Sequence, residues 1–191
     1  CFSKEAYDFV DQLKKAGQQY WQILPLGPTG YGDSPYQSVS TFAGNPYFID
    51  LETLIDKKLL TKEECESCDW GGSESYVDYE KMYLSRFKLL RKAYERANLK
   101  NDPDYVAFLK QEEDWLLDYC LFMAIKNAQN GKCWIDWPEE LKDRHSKAVK
   151  EAEKELAEEV EFYSFQQYCF TTQWSKLKKY ANKKGIQIIG D

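Results

Sequence analysis

Apolar and polar positions divide the chain into a helix, a short apolar run, a long irregular stretch, a series of helices, and a last helix followed by a second apolar run. Residues 3–16 place Ala6, Phe9, Val10 and Leu13 on one helical stripe, with Ser3 at the N-cap and Gly17 where a left-handed residue ends the helix. Residues 20–26, YWQILPL, form an apolar run closed by Pro and Gly and read as a buried strand of the parallel kind. Residues 50–160 are mainly helical. Thr61 with Glu64 makes a capping box. Tyr79, Tyr83, Phe87, Leu90 and Tyr94 recur at helical spacing over 78–98, and Asp102–Pro103 opens a further helix that runs to Asn130, with a break near Glu113. Gly131 ends it, and Trp134, Trp137 and Pro138 open the next segment. Residues 146–161, nearly all charged or Ala, predict an exposed helix. From 160 to 184 the stripe Val160, Tyr163, Gln167, Phe170, Trp174, Leu177 and Ala181 returns. Gly185 stops it, and residues 186–189 read as a second buried strand ending at Gly190 and Asp191.

Helices between two buried strands suit a parallel sheet. Two strands cannot form a sheet covered on both faces, so the fold class expected is α/β, as a segment of a larger barrel or doubly wound sheet. No internal repeat or low-complexity tract is visible.

Composition narrows the function. The net charge of −6 disfavours nucleic acid, whose binding calls for a basic stripe. No run is long and apolar enough for a membrane span or a signal peptide. Of the six cysteines, Cys120 and Cys169 fall in apolar helical stretches and read as core. Cys65 and Cys68 form a lone CxxC without further ligands, the chain's single histidine being His145, so no metal or cofactor is expected and the thiols suit a reducing cytoplasm.

Candidate chemistry lies where parallel strands end. After the first strand, residues 27–45 (GPTGYGDSPYQSVSTFAGN) carry four Gly and two Pro and are too long and too apolar for a linker. Tyr31 and Tyr36 offer ring faces and phenols, and Asp33, Ser34 and Gln37 offer short donors and acceptors. That set suits a pyranose, with its C–H face and rim of hydroxyls. By composition alone the stretch fits a sugar site and an ordinary structural loop alike. Neither phosphate-cradle motif is present. Asp191, directly after the second strand, is either a site carboxylate or a helix N-cap.

The run from 20 to 51, and GPTGYGDSPYQS within it, strongly resembles the hallmark block of the amylomaltases, glycoside hydrolase family 77. FQQYCFTTQWSKLKKYANKKGIQIIGD (165–191) is similar to that family's helix and following barrel strand, WIDWPEEL (134–141) is a weaker match, and residues 6–22 also fit. The likeness implies part of a (β/α)8 TIM barrel: residues 1–45 a barrel segment with the substrate loop, 46–158 a mainly helical insertion, 159–191 a barrel helix and strand. It implies a cytoplasmic 4-α-glucanotransferase that moves α-1,4-glucan segments of maltooligosaccharides to the 4-hydroxyl of glucose or a glucan. The reaction retains configuration through a glycosyl-enzyme, with two carboxylates about 5–5.5 Å apart. A glucan-binding or interaction module without catalysis, and an amylase-type hydrolase, are the competing readings. By the same likeness the nucleophile, acid/base and stabilising carboxylate lie on later strands, so no catalytic residue falls within 1–191 and the chain alone is expected to be inactive. Ser34 and Tyr36 correspond to positions near the donor sugars, Tyr31 to a tyrosine at a second, remote glucan contact, and Asp191 to a sugar-binding aspartate. Trp134 and Trp137 either stack on glucan or belong to a helical core.

Overall fold

The computed structural model describes residues 1–73 and 75–191. Along the chain run α1 (Lys4–Lys15), β1 (Tyr20–Gln22), α2 (Leu51–Asp56), α3 (Lys62–Glu66), α4 (Tyr79–Arg96), α5 (Pro103–Gln111), α6 (Leu116–Ala128), α7 (Glu139–Lys142), α8 (Ser146–Glu155), α9 (Ala157–Lys183) and β2 (Gln187–Ile189). Single 3₁₀ turns occur at Pro46–Phe48, Leu99–Asn101 and Trp134–Asp136. The residues form two compact units, Cys1–Asn98 with Gln166–Asp191, and Leu99–Phe165.

In the first unit β1 and β2 pair in parallel, Tyr20 opposite Gln187, Trp21 opposite Ile188 and Gln22 opposite Ile189. The Gln187 amide donates to the Gln19 carbonyl (2.8 Å) and the Ile23 amide to that of Ile189 (2.9 Å). The strands are shorter than the apolar runs predict, and they are not buried: Tyr20 and Ile189 are exposed and only Trp21 and Ile188 are partly covered. A two-stranded sheet gives each strand one neighbour, which leaves the alternating side chains without a second layer. Burial is complete just before β2, at Ile186.

Helices on either side hold this pair. The Tyr180 hydroxyl of α9 donates to both carboxylate oxygens of Asp11 in α1, each at 2.9 Å. Lys184 pairs with Asp11 at 2.7 Å and lies 5.0 Å over the Tyr180 ring. Phe2 is the hub of the apolar packing, its ring within 5.7 Å of Phe48, 5.1 Å of Phe170 and 5.6 Å of Trp174. Ser3 stands at the N-cap of α1 as expected but does not cap; its hydroxyl donates instead to the Glu5 carboxylate (2.5 Å). Gly17 takes the left-handed conformation that ends the helix (φ 74°).

The capping box of Thr61 and Glu64 is present, and Asp102 caps α5 through the Asp104 and Tyr105 amides. The helix expected over 78–98 is present as α4, with Leu90 and Tyr94 of its stripe buried. Ser85, Arg86, Leu89, Leu90, Ala93 and Tyr94 turn inward, while Tyr79 and Tyr83 are about half exposed. Arg86 is a charged residue in a core position: its guanidinium donates to the Ile49 carbonyl and lies 5.8 Å from the Trp70 ring. Burial pushes its pKa down to about 10, with Asp50 opposing, and it remains charged at neutral pH.

In the second unit Leu121, Ile125, Trp137 and Ala152 form a core edged by Phe122, Leu141, Val149, Leu156 and Val160. Trp137 packs 5.2 Å from Phe122, whereas Trp134 is half exposed. The segment 146–161 is not one exposed helix: the helix ends at Glu155, a new one starts at Ala157, and Ala152 is buried. Cys120 in this unit and Cys169 in the first are buried as expected, and burial pushes both thiols up to about 12.

Gly44 lies against the Phe170 ring, where an added Cβ would sit 2.1 Å from Cδ1. Gly44→Ala is expected to lower unfolding stability in denaturant titration by about 1–3 kcal/mol through overpacking. Gly30→Ala, which meets nothing within 4 Å, should stay within about 0.5 kcal/mol of the parent.

Candidate functional site

The chain leaves β1 at Gln22 and enters the glycine-rich loop at Gly27. Both ends of the loop are fastened by one residue. The Asn45 amide donates to the Leu26 carbonyl (2.8 Å), and its side chain reaches Thr29 Oγ1 (3.4 Å) while accepting from the Tyr47 amide (2.9 Å). An isolated antiparallel bridge joins Thr29 to Ser38. Gly27 permits this closure, since a Cβ there would lie 2.7 Å from Ser38 Oγ. At the tip the Asp33 amide donates to the Gly30 carbonyl (3.1 Å), with Gly32 and Asp33 both left-handed (φ 92° and 53°). Asp33 is a residue type that tolerates this conformation. The Gln37 amide then donates to the Ser34 carbonyl (3.2 Å) and the Tyr36 amide to Ser34 Oγ (3.4 Å).

These turns carry Tyr36 to the end of β2, where its hydroxyl donates to Asp191 Oδ2 at 2.5 Å. The two residues are 155 positions apart. The hydrogen bond to Asp191 is the main cause, with desolvation and the negative charge of the carboxylate adding, of a Tyr36 pKa held above the ordinary phenol value. The phenol therefore stays protonated and donating at neutral pH. It directs one carboxylate oxygen of Asp191 and leaves the other to accept. The Tyr36 ring is 64% exposed, so a face remains open to a ligand. Ser34 Oγ accepts from the backbone and keeps its proton to donate.

The remaining predicted residues lie elsewhere. Tyr31 is fully exposed and Gln37 is exposed at the surface. Asp33 lines a cavity of about 580 Å³ with Pro35, Tyr47, Tyr79, Trp21 and Leu24 among its walls. Tyr36, Ser34 and Asp191 do not line that cavity, whose walls are mainly apolar. Donors and acceptors converge instead at the Tyr36–Asp191 pair. Burial, with the Asp33 charge adding, pushes the Tyr47 phenol beside the cavity up to about 12. Sequence reasoning does not single out Tyr47, which comes to Asp33 by tertiary packing, nor Asn45, whose only signal is its place at the end of the loop. Among the described residues no group of three or more His, Cys, Asp or Glu side chains is placed to hold a metal ion, and no helix is long and apolar enough to cross a membrane.

A family model described as 4-alpha-glucanotransferase, glycoside hydrolase family 77, matches residues 1–191. A 4-alpha-glucanotransferase from Clostridium butyricum is 49% identical over 190 residues, covering 100% of this chain and 39% of that protein. One from Thermus thermophilus is 47% identical over 192 residues, covering 98% and 37%. Among solved structures, the amylomaltase from Streptococcus agalactiae in complex with acarbose superimposes with a TM-score of 0.93 at 39% identity, covering 100% of this chain and 39% of that one. The chain thus spans about two fifths of the length of these relatives. The expected α/β class, a portion of a (β/α)8 barrel with a helical insertion, is borne out.

If Asp191 is what raises the Tyr36 phenol, Asp191→Asn should bring its titration back toward the ordinary tyrosine value. Phenolate absorbance followed against pH, with Tyr36→Phe subtracted, reads this directly. An unmoved Tyr36 titration would rule out the pairing.

Proposed function

The chain belongs to the 4-alpha-glucanotransferase family, glycoside hydrolase family 77, and from that membership we propose that the protein transfers α-1,4-glucan segments from a donor maltooligosaccharide to the 4-hydroxyl of glucose or another glucan. The observation that carries this reading is the 2.5 Å hydrogen bond between Tyr36 and Asp191. It joins a phenol from the glycine-rich loop to a carboxylate at the end of a parallel strand, where barrel enzymes assemble their sites.

On this reading Asp191 accepts from a sugar hydroxyl through the oxygen left free by Tyr36. The Tyr36 ring takes the C–H face of a glucose unit, and Ser34 donates to a neighbouring hydroxyl. Such contacts orient the donor sugar and favour a sugar over water at the intermediate, which separates transfer from hydrolysis. The chemical step retains configuration by double displacement between two carboxyl groups. We assign neither of these to residues 1–191, which bind and position. Gln37, exposed beside this pair, is proposed as a further hydroxyl partner. Tyr31, exposed at the loop tip, is proposed to touch glucan away from the reaction, and Asp33 to support the wall that it shares with Tyr47. The solved amylomaltase in complex with acarbose supports an oligosaccharide as the ligand. Six free cysteines, two of them buried, support a reducing, cytoplasmic setting.

Maltotriose as sole substrate tests the proposal in a protein of full family length that carries this chain. Transfer yields glucose together with maltooligosaccharides longer than the substrate. Shorter sugars alone would make the protein a hydrolase. Tyr36→Ala is expected to lower kcat/KM by about 10–100-fold, the range for losing one or two substrate contacts, with the melting temperature nearly unchanged. Parent kinetics for this variant would remove the loop from the sugar site.

A further inference from the structure

α9 carries two glutamines whose side chains act as substitutes for a neighbouring strand. Gln167 Oε1 accepts from the Gly44 amide at 2.7 Å and its Nε2 donates to the Gly44 carbonyl at 2.9 Å. Six residues on, Gln173 Oε1 accepts from the Asp50 amide at 2.7 Å and its Nε2 donates to the Asp50 carbonyl at 3.1 Å. Both glutamines are buried, and each satisfies both backbone groups of one residue. Gln166, equally buried, has no hydrogen-bond partner among the described residues for either amide atom. Burial on α9 therefore does not by itself create the grip.

The two clamps grip different things. Asp50 lies beyond the loop and caps α2, its carboxylate accepting from the Thr53 amide (2.9 Å). Gly44 is the last residue of the loop before Asn45, which closes it onto Leu26. Gln167 therefore holds the returning stem of the segment that carries Ser34 and Tyr36. The helix that holds this stem ends at Lys183 and leads by a short turn into β2, beyond which lies Asp191, the partner of Tyr36. The loop stem is thus fastened to the helix that precedes β2, the strand that delivers Asp191. A shift of about 1 Å in the loop stem is enough to break so short a contact.

We propose that Gln167 is a positioning residue for glucan transfer, acting through Tyr36, and that Gln173 serves stability only. This rests on the reading of Tyr36–Asp191 as a sugar-contacting pair. Gln167 touches no substrate in this scheme; its amide holds the Gly44 stem so that the Tyr36 hydroxyl meets Asp191.

The test uses a protein of full family length carrying this chain, with kcat and KM for maltotriose measured separately. The variants are Tyr36→Phe, Gln167→Met, Gln173→Met and the double Gln167→Met/Tyr36→Phe. Met keeps the length of the side chain and removes both hydrogen bonds. Gln167→Met should lower kcat/KM about tenfold and move the same parameter, kcat or KM, that Tyr36→Phe moves. Gln173→Met should lower the melting temperature as much but change kcat/KM less than about twofold. The double variant should be no more than about twofold worse than Tyr36→Phe, because the hydroxyl that Gln167 brings to Asp191 is already absent. If Gln167→Met does not fold, Gln167→Glu, which still accepts from the Gly44 amide, carries the same comparison. Parent kinetics for the Gln167 variants, beside a clear effect of Tyr36→Phe, would overturn the proposal alone, as would effects that simply multiply in the double variant. Parent kinetics for Tyr36→Phe would overturn it together with the sugar-site reading.

Discussion

Two strands of three residues exchange only a handful of backbone hydrogen bonds, so their parallel pairing has to be held from outside. In the first unit the hold comes from α1 and α9, each of which runs into one of the strands. Asp11 receives both the Tyr180 hydroxyl and the Lys184 ammonium, and this ties the two helices just before each turns into its strand. The register of Tyr20 on Gln187 follows, and with it the places where β1 releases the loop and β2 delivers Asp191. A slip of one residue would turn the alternating side chains to the opposite face and carry Asp191 about 3.3 Å along the strand, beyond the reach of Tyr36. The candidate site thus depends on a contact remote from it in sequence and chemically unrelated to sugar.

The loop adds a constraint of its own. It has no regular structure to hold it, so its shape comes from short-range closures: Asn45 on Leu26, Ser38 on Thr29, Asp33 on Gly30. Each joins backbone groups that would otherwise need water or a strand partner. Glycine at 27 and 44 lets the loop close on Ser38 and on the Phe170 ring, where any side chain would collide. Rigidity of this kind suits a binding loop, because a ligand does not then have to supply the ordering free energy. The exposed rings of Tyr31 and Tyr36 sit on a frame fixed before any ligand arrives.

Much of this was legible in the sequence, for identifiable reasons. The capping box at Thr61, the Asp102–Pro103 helix start and the helix-ending glycines are local signals, and local signals do not depend on what packs nearby. The parallel relation of the two apolar runs followed from the helices between them. The loop stood out because its composition is unusual, and its resemblance to a known family named the fold. What failed was whatever depends on neighbours. The strands looked buried because their residues are apolar, yet burial is a property of the layers around them. The helical spacing over 78–98 located α4 but gave no sign that Arg86 would be buried, its guanidinium donating to the Ile49 carbonyl. Asp33 and Tyr36, three residues apart and read as partners in one site, have different surroundings: Asp33 lines the apolar cavity and Tyr36 meets Asp191.

The glutamines of α9 show why some positioning residues escape sequence reading altogether. Gln167 falls at a helical position where a leucine would satisfy the apolar stripe, and its amide looks like a fault in the pattern. A peptide group is itself an amide, with one donor and one acceptor, and a buried peptide bond lacking a strand partner is best matched by a side chain with the same pair. A charged residue could meet only one of the two groups and would bear the desolvation cost of its charge. A serine or threonine hydroxyl is too short to span the gap from a helix to a loop. Glutamine alone among the neutral side chains combines that reach with both functions. A buried glutamine that bonds both groups of one peptide residue, as Gln167 does and Gln166 does not, marks irregular backbone packed against the helix. Here that backbone is the stem of the loop that brings Tyr36 to Asp191.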